Sequence, residues 1–329
     1  MTNILQDGYS RNVDYLRISI TDRCNMRCTY CMPNEGVEML CHQDIVRYEQ
    51  ILFLIQTAVS CGIKKFRFTG GEPLVRAGFV DFVAEVANIR GVEDISLTTN
   101  GVALAPVAQR LKNNGLRRIN ISLDSLNAEN FLKITRTNFL GQVLEGIQAA
   151  LDARLDPVKI NTVIMPENIT EVVDFARLSI RQPLHVRFIE FMPIGNAALW
   201  TDKGFIPAEQ VRNAIEREFG QLIDVHSPGG AGPAKYSRLN GALGTVGFIS
   251  PMTGHFCATC NRLRMTSDGR LRACLTVDDE IDIKGFLKDK DADKLVSALQ
   301  EIIGRKPGLH ALENCTVNDF SRHMSGIGG

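Results

Sequence analysis

Three cysteines lie close together near the start of the chain, in the run Cys24-x3-Cys28-x2-Cys31. Cysteine thiolates hold iron–sulfur clusters, and a [4Fe–4S] cluster takes four ligands. A loop that supplies three leaves one iron open, and an open coordination position is typical of a metal site that binds a reactant. The alternative is a structural zinc site completed by a distant fourth ligand, although CxxxC is a less usual zinc spacing.

A second set of three cysteines lies towards the other end of the chain, in the run Cys257-x2-Cys260-x13-Cys274. It predicts a second [4Fe–4S] cluster whose open iron faces the first. A structural zinc site remains an alternative, as does a closed cluster that borrows Cys315 or a histidine such as His255.

Two arginines, Arg262 and Arg264, follow the pair Cys257 and Cys260 on a predicted strand. Side chains two positions apart on a strand point to the same face, and a guanidinium group can bind two phosphate oxygens at once. The pair therefore indicates a phosphate-binding face beside the cysteines. The alternative is a pair of exposed strand arginines without a ligand.

A glycine motif, Thr69-Gly70-Gly71-Glu72-Pro73, follows the second predicted strand. Adjacent glycines allow a ligand to approach the backbone closely and to pair with free amide and carbonyl groups. An ordinary strand-to-helix turn would also use glycine and proline. Because the motif comes after the first cysteine loop, we favour a small polar ligand.

The composition narrows the class of protein. At 329 residues the chain can form one large domain, or a large domain with an appendage. Its 37 basic and 37 acidic residues give no net field that would attract nucleic acid or anionic lipid. Residues 1–10 lack the apolar core of a signal peptide, and the longest apolar stretch, 51–63, is interrupted by polar residues. With an odd count of nine cysteines, these features predict a soluble cytoplasmic protein without a membrane or nucleic-acid partner.

Strand-like and helix-like segments alternate up to residue 191. The strand-like runs are 15–20, 64–68, 94–97, 117–121, 158–163 and 185–191. The helix-like segments are 44–60, 78–89, 105–113, 139–153 and 171–180. This alternation predicts parallel strands with right-handed helical crossovers.

The unusual residues of this half follow the ends of the predicted strands. They include the first cysteine loop and the glycine motif. Two further polar runs, Thr98-Thr99-Asn100-Gly101 and Ser122-Leu123-Asp124-Ser125, follow the third and fourth strands. Polar clusters at successive strand ends predict an incomplete (β/α)6 barrel with an open side, whose site lies at that face. A doubly wound sheet would instead concentrate its ligand contacts at one switch point.

The character of the sequence changes after Pro193, so we divide the chain into residues 1–195, the partial barrel, and 196–329, an auxiliary-cluster and substrate-binding region. The second part is predicted to be a small β-rich and α-helical appendage. Its elements are helices at 207–219 and 292–303, strands at 244–250 and 261–266, and a turn at 267–269.

The first cysteine loop, with Tyr30 before its last cysteine, and the Gly-Gly-Glu-Pro motif together resemble the radical S-adenosylmethionine (SAM) superfamily. Together with the second set and its arginines, the chain resembles one family over essentially its whole length, the GTP 3′,8-cyclases of molybdenum cofactor biosynthesis. Further matching motifs are 15–19, 66–73, 98–101, 122–125, 158–163, 187–190 and the final Gly328-Gly329.

The resemblance implies two [4Fe–4S] clusters and SAM as cofactors. Reductive cleavage of SAM would give a 5′-deoxyadenosyl radical that abstracts the C3′ hydrogen of GTP. The C3′ radical would attack guanine C8, giving (8S)-3′,8-cyclo-7,8-dihydroguanosine 5′-triphosphate after reduction, plausibly by the second cluster. Partners implied are GTP, an electron donor and a downstream enzyme that forms the cyclic pyranopterin; a homodimer is left open.

The resemblance also assigns residues by motif. It gives catalytic roles to Cys24, Cys28, Cys31, Arg17, Arg262 and Arg264. It also implies that Cys24, Cys28 and Cys31 hold the first cluster and that Cys257, Cys260 and Cys274 hold the second. SAM contacts fall on Tyr30, Gly71, Ser122 and Met192. GTP contacts fall on Arg17, Arg67, Thr98, Lys159, Arg187, Arg262, Leu263 and Arg264, with the guanine on the open iron of the second cluster.

The residues themselves support a polyanionic ligand. Four cations, Arg17, Arg67, Lys159 and Arg187, lie on four predicted strands of one barrel, where unpaired cations would be costly. A triphosphate would neutralise them. The alternative is internal pairing with Asp124, Glu190 or Glu72.

Three cysteines and the chain end remain. Cys41, Cys61 and Cys315 are interpreted as ordinary residues. The terminal Gly328-Gly329 could be a frayed end, but by resemblance it reaches into the barrel.

Two rival functions stay open: another radical SAM enzyme with an auxiliary cluster, such as a peptide maturase, and a non-catalytic metal-binding module.

Overall fold

Strands and helices alternate through the first half of the chain, as predicted. The computed structural model describes residues 5–194, 204–230, 232–310, 322 and 324–327. The first six strands are β1 (Tyr15–Ser19), β2 (Lys65–Thr69), β3 (Asp94–Thr99), β4 (Arg118–Ser122), β5 (Val158–Ile164) and β6 (Leu184–Glu190). The helices between them are α1 (Tyr48–Ser60), α2 (Phe79–Ala87), α3 (Ala108–Asn113), α4 (Ala128–Thr135), α5 (Leu140–Asp152) and α6 (Val172–Arg181).

Helix α4 is the one element of this half that the sequence interpretation missed, because only one helix was expected between β4 and β5. Its start is capped by Asn127, whose side-chain oxygen accepts hydrogen bonds from the backbone N–H groups of Glu129 and Asn130. The helix has only eight residues and ends at Arg136, which is left-handed. Two turns give too short a periodic pattern to stand out in the sequence.

The six strands pair in parallel and in chain order, which gives the expected partial barrel. Beyond β6 the chain forms α7 (Ala208–Phe219), β7 (Ile223–Val225), β8 (Lys235–Arg238), β9 (Thr245–Ile249), β10 (Arg262–Met265), β11 (Arg270–Arg272), β12 (Glu280–Asp282), α8 (Lys284–Asp289), α9 (Ala292–Gly304) and α10 (Met324–Ile327). In the described part of the chain the sheet order is β12-β11-β10-β1-β2-β3-β4-β5-β6-β9-β8-β7, so the sheet is open.

The C-terminal strands extend the same sheet at both edges. Strand β10 pairs in parallel with β1, and β9 pairs in parallel with β6. The predicted turn at 267–269 joins β10 and β11 as an antiparallel hairpin, with Gly269 in the left-handed conformation that such a turn requires. The division of the chain at residue 195 stays a prediction. No helix among the described residues is long and apolar enough to span a bilayer.

Alternation along each strand separates an apolar face from a polar interior. In β1, Leu16 and Ile18 are fully buried in the hydrophobic core, whereas Arg17 lies between them and points to the other face. Strand β2 repeats this pattern around Arg67. Each buried aliphatic or aromatic side chain of the core contributes about 1.5–3 kcal/mol, which allows the interior face to carry charged side chains.

Candidate functional site

A single cavity of about 270 Å³ lies on the interior face of the sheet. Its wall includes twelve of the predicted site residues: Arg17, Tyr30, Arg67, Thr98, Ser122, Arg187, Met192, Cys257, Cys260, Arg262, Arg264 and Cys274. Seven of them lie on strands, where they alternate with core residues, and the other five lie in the segments that connect or follow the strands. The cavity therefore joins predicted SAM contacts, predicted GTP contacts and the second cysteine set.

Six predicted residues are not on this wall. Cys24, Cys28 and Cys31 lie in the loop after β1, which also carries Tyr30. Gly71 lies behind that loop. Leu263 is fully buried in the hydrophobic core, so only its backbone could face a ligand.

Lys159 is the sixth of these residues. Its ammonium group donates a hydrogen bond to the Gly229 carbonyl, at 2.5 Å, and lies 5.5 Å from the ring centroid of Tyr236. Gly229 belongs to the Pro/Gly-rich loop between β7 and β8, which approaches the starts of β4 and β5 and contributes Gly232 to the cavity wall.

The first cysteine loop is tied to the motifs that follow β2 and β3. The Asn100 amide donates to the Asn25 side-chain oxygen at 2.7 Å, while the Asn100 backbone N–H donates to the Glu72 carboxylate at 2.6 Å. Thr99 also donates to Glu72, at 2.7 Å. The carboxylate of Glu72 therefore joins the ends of β2 and β3 rather than pairing with a cation, and Asn100 extends this connection to the first cysteine loop.

Position 71 must be glycine because the backbone of the first cysteine loop passes too close for a side chain. A Cβ at this position would overlap the carbonyl of Arg23, just before the first cysteine. The Gly71 N–H donates to the Thr21 carbonyl at 2.7 Å, and the Glu72 N–H donates to the Arg23 carbonyl at 2.7 Å. The glycine motif thus supports the cysteine loop directly.

Tyr30 and Asp124 form a hydrogen-bonded pair on the cavity wall. The Tyr30 hydroxyl donates to the Asp124 carboxylate at 2.8 Å, and the Val163 N–H donates to the other carboxylate oxygen at 2.8 Å. Burial raises the pKa of Asp124 to about 6, although both hydrogen bonds favour its charged form. Burial, followed by the charge of Asp124, raises the pKa of Tyr30.

Among the described residues, Arg67, Lys159 and Arg187 do not pair with the three acidic residues considered as alternatives. Arg67 donates to the Ser96 hydroxyl at 3.1 Å, and Arg187 donates to the side-chain oxygens of Asn120 and Asn161. Within the described ranges, no salt bridge involves Arg67, Lys159 or Arg187. Glu190 instead accepts hydrogen bonds from the start of α7 and from residues 252 and 253.

This arrangement perturbs the protonation of the cations. Burial, followed by the positive charges of Arg187, Arg118 and Arg67, lowers the pKa of Lys159 to about 6. Burial also lowers the pKa of Arg67 to about 10. The cavity is thus a concentration of positive charge that a bound polyanion would stabilise.

The second cysteine set lies at one end of the cavity, next to two cations. Lys306, which is 3% exposed, donates to the Cys260 sulfur at 3.4 Å. Burial raises the pKa of the Cys260 thiol, but Arg262 and Lys306 outweigh it and bring the pKa to about 6. The Thr276 hydroxyl lies 3.3 Å from the Cys274 sulfur.

The donor sets fit iron–sulfur clusters. All eight cysteines of the described residues are free thiols. Burial raises the pKa of Cys24 to about 11 and also raises that of Cys28, so these thiols ionise readily only when a cation such as iron replaces the proton. Each set supplies three thiols, and no group of three His, Cys, Asp or Glu side chains in the described residues is arranged to hold a single metal ion.

The remaining cysteines lie apart from this chemistry or outside the described residues, whereas His310 lies on the cavity wall and its backbone N–H donates to the Cys257 sulfur. Cys41 is exposed and Cys61 is buried in the core, whereas Cys315 is outside the described residues. His255 lies 3.1 Å from His310, ring nitrogen to ring nitrogen.

The structure describes only part of the C-terminal tail that is predicted to reach into the barrel. Gly328 and Gly329 lie outside the described residues, but Met324 in α10 is on the cavity wall, and Ile327 packs against Ile194.

Sequence reasoning assigned no positioning role to four residues that contact predicted site residues, although Asp124 and Asn161 lie in polar clusters that it placed at strand ends. Asn120 and Asn161 orient Arg187, Asp124 orients Tyr30, and Lys306 contacts Cys260. The strand parity of Asn120 and Asn161 could have placed both in the interior. Nothing near Lys306 in the sequence indicates a contact with a cysteine 46 positions earlier.

Comparisons with known proteins assign the family. A profile of the radical SAM superfamily matches residues 18–179, and one described as Molybdenum Cofactor Synthesis C matches residues 184–312. A GTP 3′,8-cyclase of Pelotomaculum thermopropionicum is 50% identical over 328 residues, covering 99% of this chain and 100% of the relative. This chain belongs to the GTP 3′,8-cyclase family. A second member, from Heliobacterium modesticaldum, is 47% identical over 325 residues, 98% of this chain and 99% of the relative.

Solved structures agree on the fold of this family member. SuiB from Streptococcus suis, in its structure bound to S-adenosylmethionine, superposes with a TM-score of 0.63 at 11% identity, covering 88% of this chain and 68% of SuiB. At that identity the likeness shows a shared fold with an open sheet. The incomplete α/β barrel predicted from the sequence is confirmed.

Proposed function

We propose that this chain is a radical SAM enzyme that converts GTP to (8S)-3′,8-cyclo-7,8-dihydroguanosine 5′-triphosphate in molybdenum cofactor biosynthesis. Membership of the GTP 3′,8-cyclase family supports the reaction, and the radical SAM profile supports the use of SAM and an iron–sulfur cluster. Family membership outweighs the peptide-maturase rival, and the buried cationic cavity has no evident use in a non-catalytic metal-binding module.

One observation carries the proposal. A single cavity is lined by Tyr30 from the first cysteine loop, by interior arginines and by all three cysteines of the second set. A nucleoside triphosphate held there would meet guanidinium groups along the strands and a metal site at one end. Three of the predicted SAM contacts, Tyr30, Ser122 and Met192, lie on the wall of the same cavity.

We assign the residues as follows. The first set, Cys24, Cys28 and Cys31, holds a [4Fe–4S] cluster, and the second set, Cys257, Cys260 and Cys274, holds another. Tyr30, Gly71, Ser122 and Met192 contact SAM, and the interior cations with Thr98 and the backbone of Leu263 contact GTP. When bound, the cluster and SAM supply a one-electron cleavage that generates a primary carbon radical.

The chain itself contributes orientation and exclusion of water. Asn120 and Asn161 fix the guanidinium of Arg187 through two hydrogen bonds, so this group is oriented before the ligand binds. Apolar side chains on the cavity wall, including Ile189, Ile249 and Leu275, would limit the water around a reactive carbon centre. Because C3′ and C8 belong to one nucleotide, ring closure is intramolecular, and holding the nucleotide in one conformation favours it.

Wider assignments complete the proposal. Oxygen-labile clusters and free thiols suit a reducing cytoplasm. The reaction needs an electron donor, and its product requires a downstream enzyme that forms the cyclic pyranopterin. A homodimer is compatible with the chain.

The decisive experiment is an anaerobic assay of reconstituted protein with SAM, dithionite and each of GTP, ATP, CTP and UTP, read by mass spectrometry. We expect 5′-deoxyadenosine and an isomer of GTP with GTP alone. Formation of 5′-deoxyadenosine without nucleotide consumption would retain the radical SAM core and reject GTP as substrate.

Cysteine variants test the two-cluster assignment. Cys24→Ser should abolish SAM cleavage, whereas Cys274→Ser should retain SAM cleavage and lose the cyclic product. Cys41→Ser, at an exposed cysteine outside both sets, is the matched control and should behave as the parent. Parent-level product formation by Cys274→Ser would identify the second set as structural.

A further inference from the structure

Lys306 is buried beside the second cysteine set with a complete set of acceptors. Its ammonium group donates to the Cys260 sulfur at 3.4 Å, to the Arg262 carbonyl at 2.8 Å and to the Ala273 carbonyl at 3.1 Å. An ammonium has three N–H bonds, so all of them are used. The side chain thus connects the segment that carries Cys260 with the segment that carries Cys274.

The charge of Lys306 has no carboxylate partner in the parts of the chain that the structure describes. A buried ammonium without a negatively charged partner is costly. A negatively charged sulfur group would remove that cost. Three thiolates around an oxidised [4Fe–4S] core leave a net negative charge, which matches the position of this cation.

The segment around Lys306 also reaches the third cysteine. The Arg11 guanidinium donates to the Cys257 carbonyl at 2.7 Å and to the Pro307 carbonyl at 2.8 Å. Arg11 is itself held by Asp7 at 2.5 Å. Residues 306 and 307, just beyond α9, are therefore linked to all three cysteine segments, directly to those of Cys260 and Cys274 and through Arg11 to that of Cys257.

We propose that Lys306 is a positioning residue of the second cysteine set, which fixes Cys260 relative to Cys274 and raises the reduction potential of the cluster bound there. A fixed positive charge close to the sulfur stabilises the more negative, reduced form of the cluster. This inference rests on the proposed function, because it requires a cluster at the second set.

The test measures the cluster rather than catalysis. Lys306→Met and Lys306→Arg are prepared in the parent enzyme and also in a Cys24→Ser/Cys28→Ser/Cys31→Ser background, in which the second set alone can hold a cluster. Readouts are the midpoint potential from a redox titration followed by electron paramagnetic resonance, and the rate of iron release to a chelator. Arg305→Met, which removes an exposed cation paired with Asp279 and Glu301, is the matched control.

We expect Lys306→Met to shift the midpoint to a more negative potential and to release iron roughly tenfold to a hundredfold faster, the range typical of losing a partner of a metal ligand. Lys306→Arg keeps the charge, but its planar fork cannot direct three N–H bonds from one atom to the same acceptors, so its iron release should accelerate while its midpoint stays near that of the parent. Arg305→Met should change neither quantity.

If Lys306→Met loses its cluster before titration, Lys306→Arg carries the test, and parent-like iron release by that variant would overturn the positioning role. Unchanged midpoint and unchanged iron release in Lys306→Met would overturn the inference while leaving the two-cluster assignment intact. Absence of any cluster in the triple-serine background with Lys306 present would overturn that assignment, and the inference with it.

Discussion

Arg17 and Arg264 lie opposite each other in register on the parallel pair β1 and β10. Burial and the positive charge of Arg264 lower the pKa of Arg17. Burial also lowers the pKa of Arg264 to about 10. The pairing of two strands from distant parts of the sequence thus creates one wall of a cationic cavity, and a bound polyanion would relieve the repulsion between its side chains.

Replacing Arg67 should weaken binding of the triphosphate. Arg67 faces the cavity and donates to a neutral hydroxyl, so a phosphate oxygen would give it a charge-assisted hydrogen bond worth about 1.5–3 kcal/mol. We expect Arg67→Met to raise the dissociation constant for GTP roughly tenfold to a hundredfold, measured by equilibrium dialysis. Arg110→Met, an exposed arginine paired with Asp81, is the control and should bind as the parent. Equal affinity of Arg67→Met and the parent would remove Arg67 from the GTP site.

Binding of GTP should take up a proton through Lys159. In the ligand-free protein its pKa is about 6, so at pH 7.5 the amine is mostly neutral. Triphosphate favours the charged form and raises this pKa, which means that uptake approaches one proton at pH 7.5 and disappears well below pH 6.

Calorimetry in buffers of different ionisation enthalpy measures this uptake. Lys159→Gln should abolish it, which separates the lysine from titration of the γ-phosphate itself. Equal proton uptake by the variant and the parent would contradict the assignment.

Loss of the Tyr30 hydroxyl should shift the acidic limb of the activity profile. The Asp124 carboxylate has a pKa of about 6 and accepts a hydrogen bond from Tyr30. Removing that donor from the charged form raises the pKa further, by roughly one to two units. We therefore expect Tyr30→Phe to lose SAM cleavage at a higher pH than the parent as the solution is acidified. Tyr48→Phe, at a tyrosine that stacks on Phe82 away from the cavity, should keep the parent profile.

Adding a methyl group at Gly71 should prevent binding of the first cluster but not of the second. A Cβ would overlap the Arg23 carbonyl, so the cysteine loop or the glycine motif must move. We expect Gly71→Ala to lose about half of the bound iron, measured after anaerobic reconstitution. Gly141→Ala is the control, because a Cβ there meets nothing within 4 Å and lies in a helix. Full iron content in Gly71→Ala would show that the loop tolerates the displacement.

The sequence was most informative where a feature is local. Cysteine spacing identified both thiol sets, and the alternation of strands and helices predicted the partial barrel. Strand parity put Arg262 and Arg264 on one face, and both are on the cavity wall.

Contacts between residues far apart in the sequence could not be predicted from local sequence patterns. Strands β7, β8, β11 and β12 have three or four residues each, too few to show a period. The contact between Lys306 and Cys260 depends on where α9 ends relative to a hairpin, and no spacing rule encodes that. The extension of the sheet at both edges depends likewise on strand pairs that are far apart in the sequence.

Strand β1 has two neighbours, and the second of them, β10, is synthesised late in the chain. A hydrogen bond next to the β1–β10 pair, between Asp14 and Asn261, joins residues 247 positions apart. During synthesis the first cysteine loop can fold against β2 and β3 early, but the edge of β1 stays uncovered until most of the chain has left the ribosome. An uncovered strand edge invites pairing with other chains. The first cysteine set is therefore assembled before the second. A nascent chain that stalls before β10 would carry only the first set complete, and the edge of its β1 strand would be prone to aggregation.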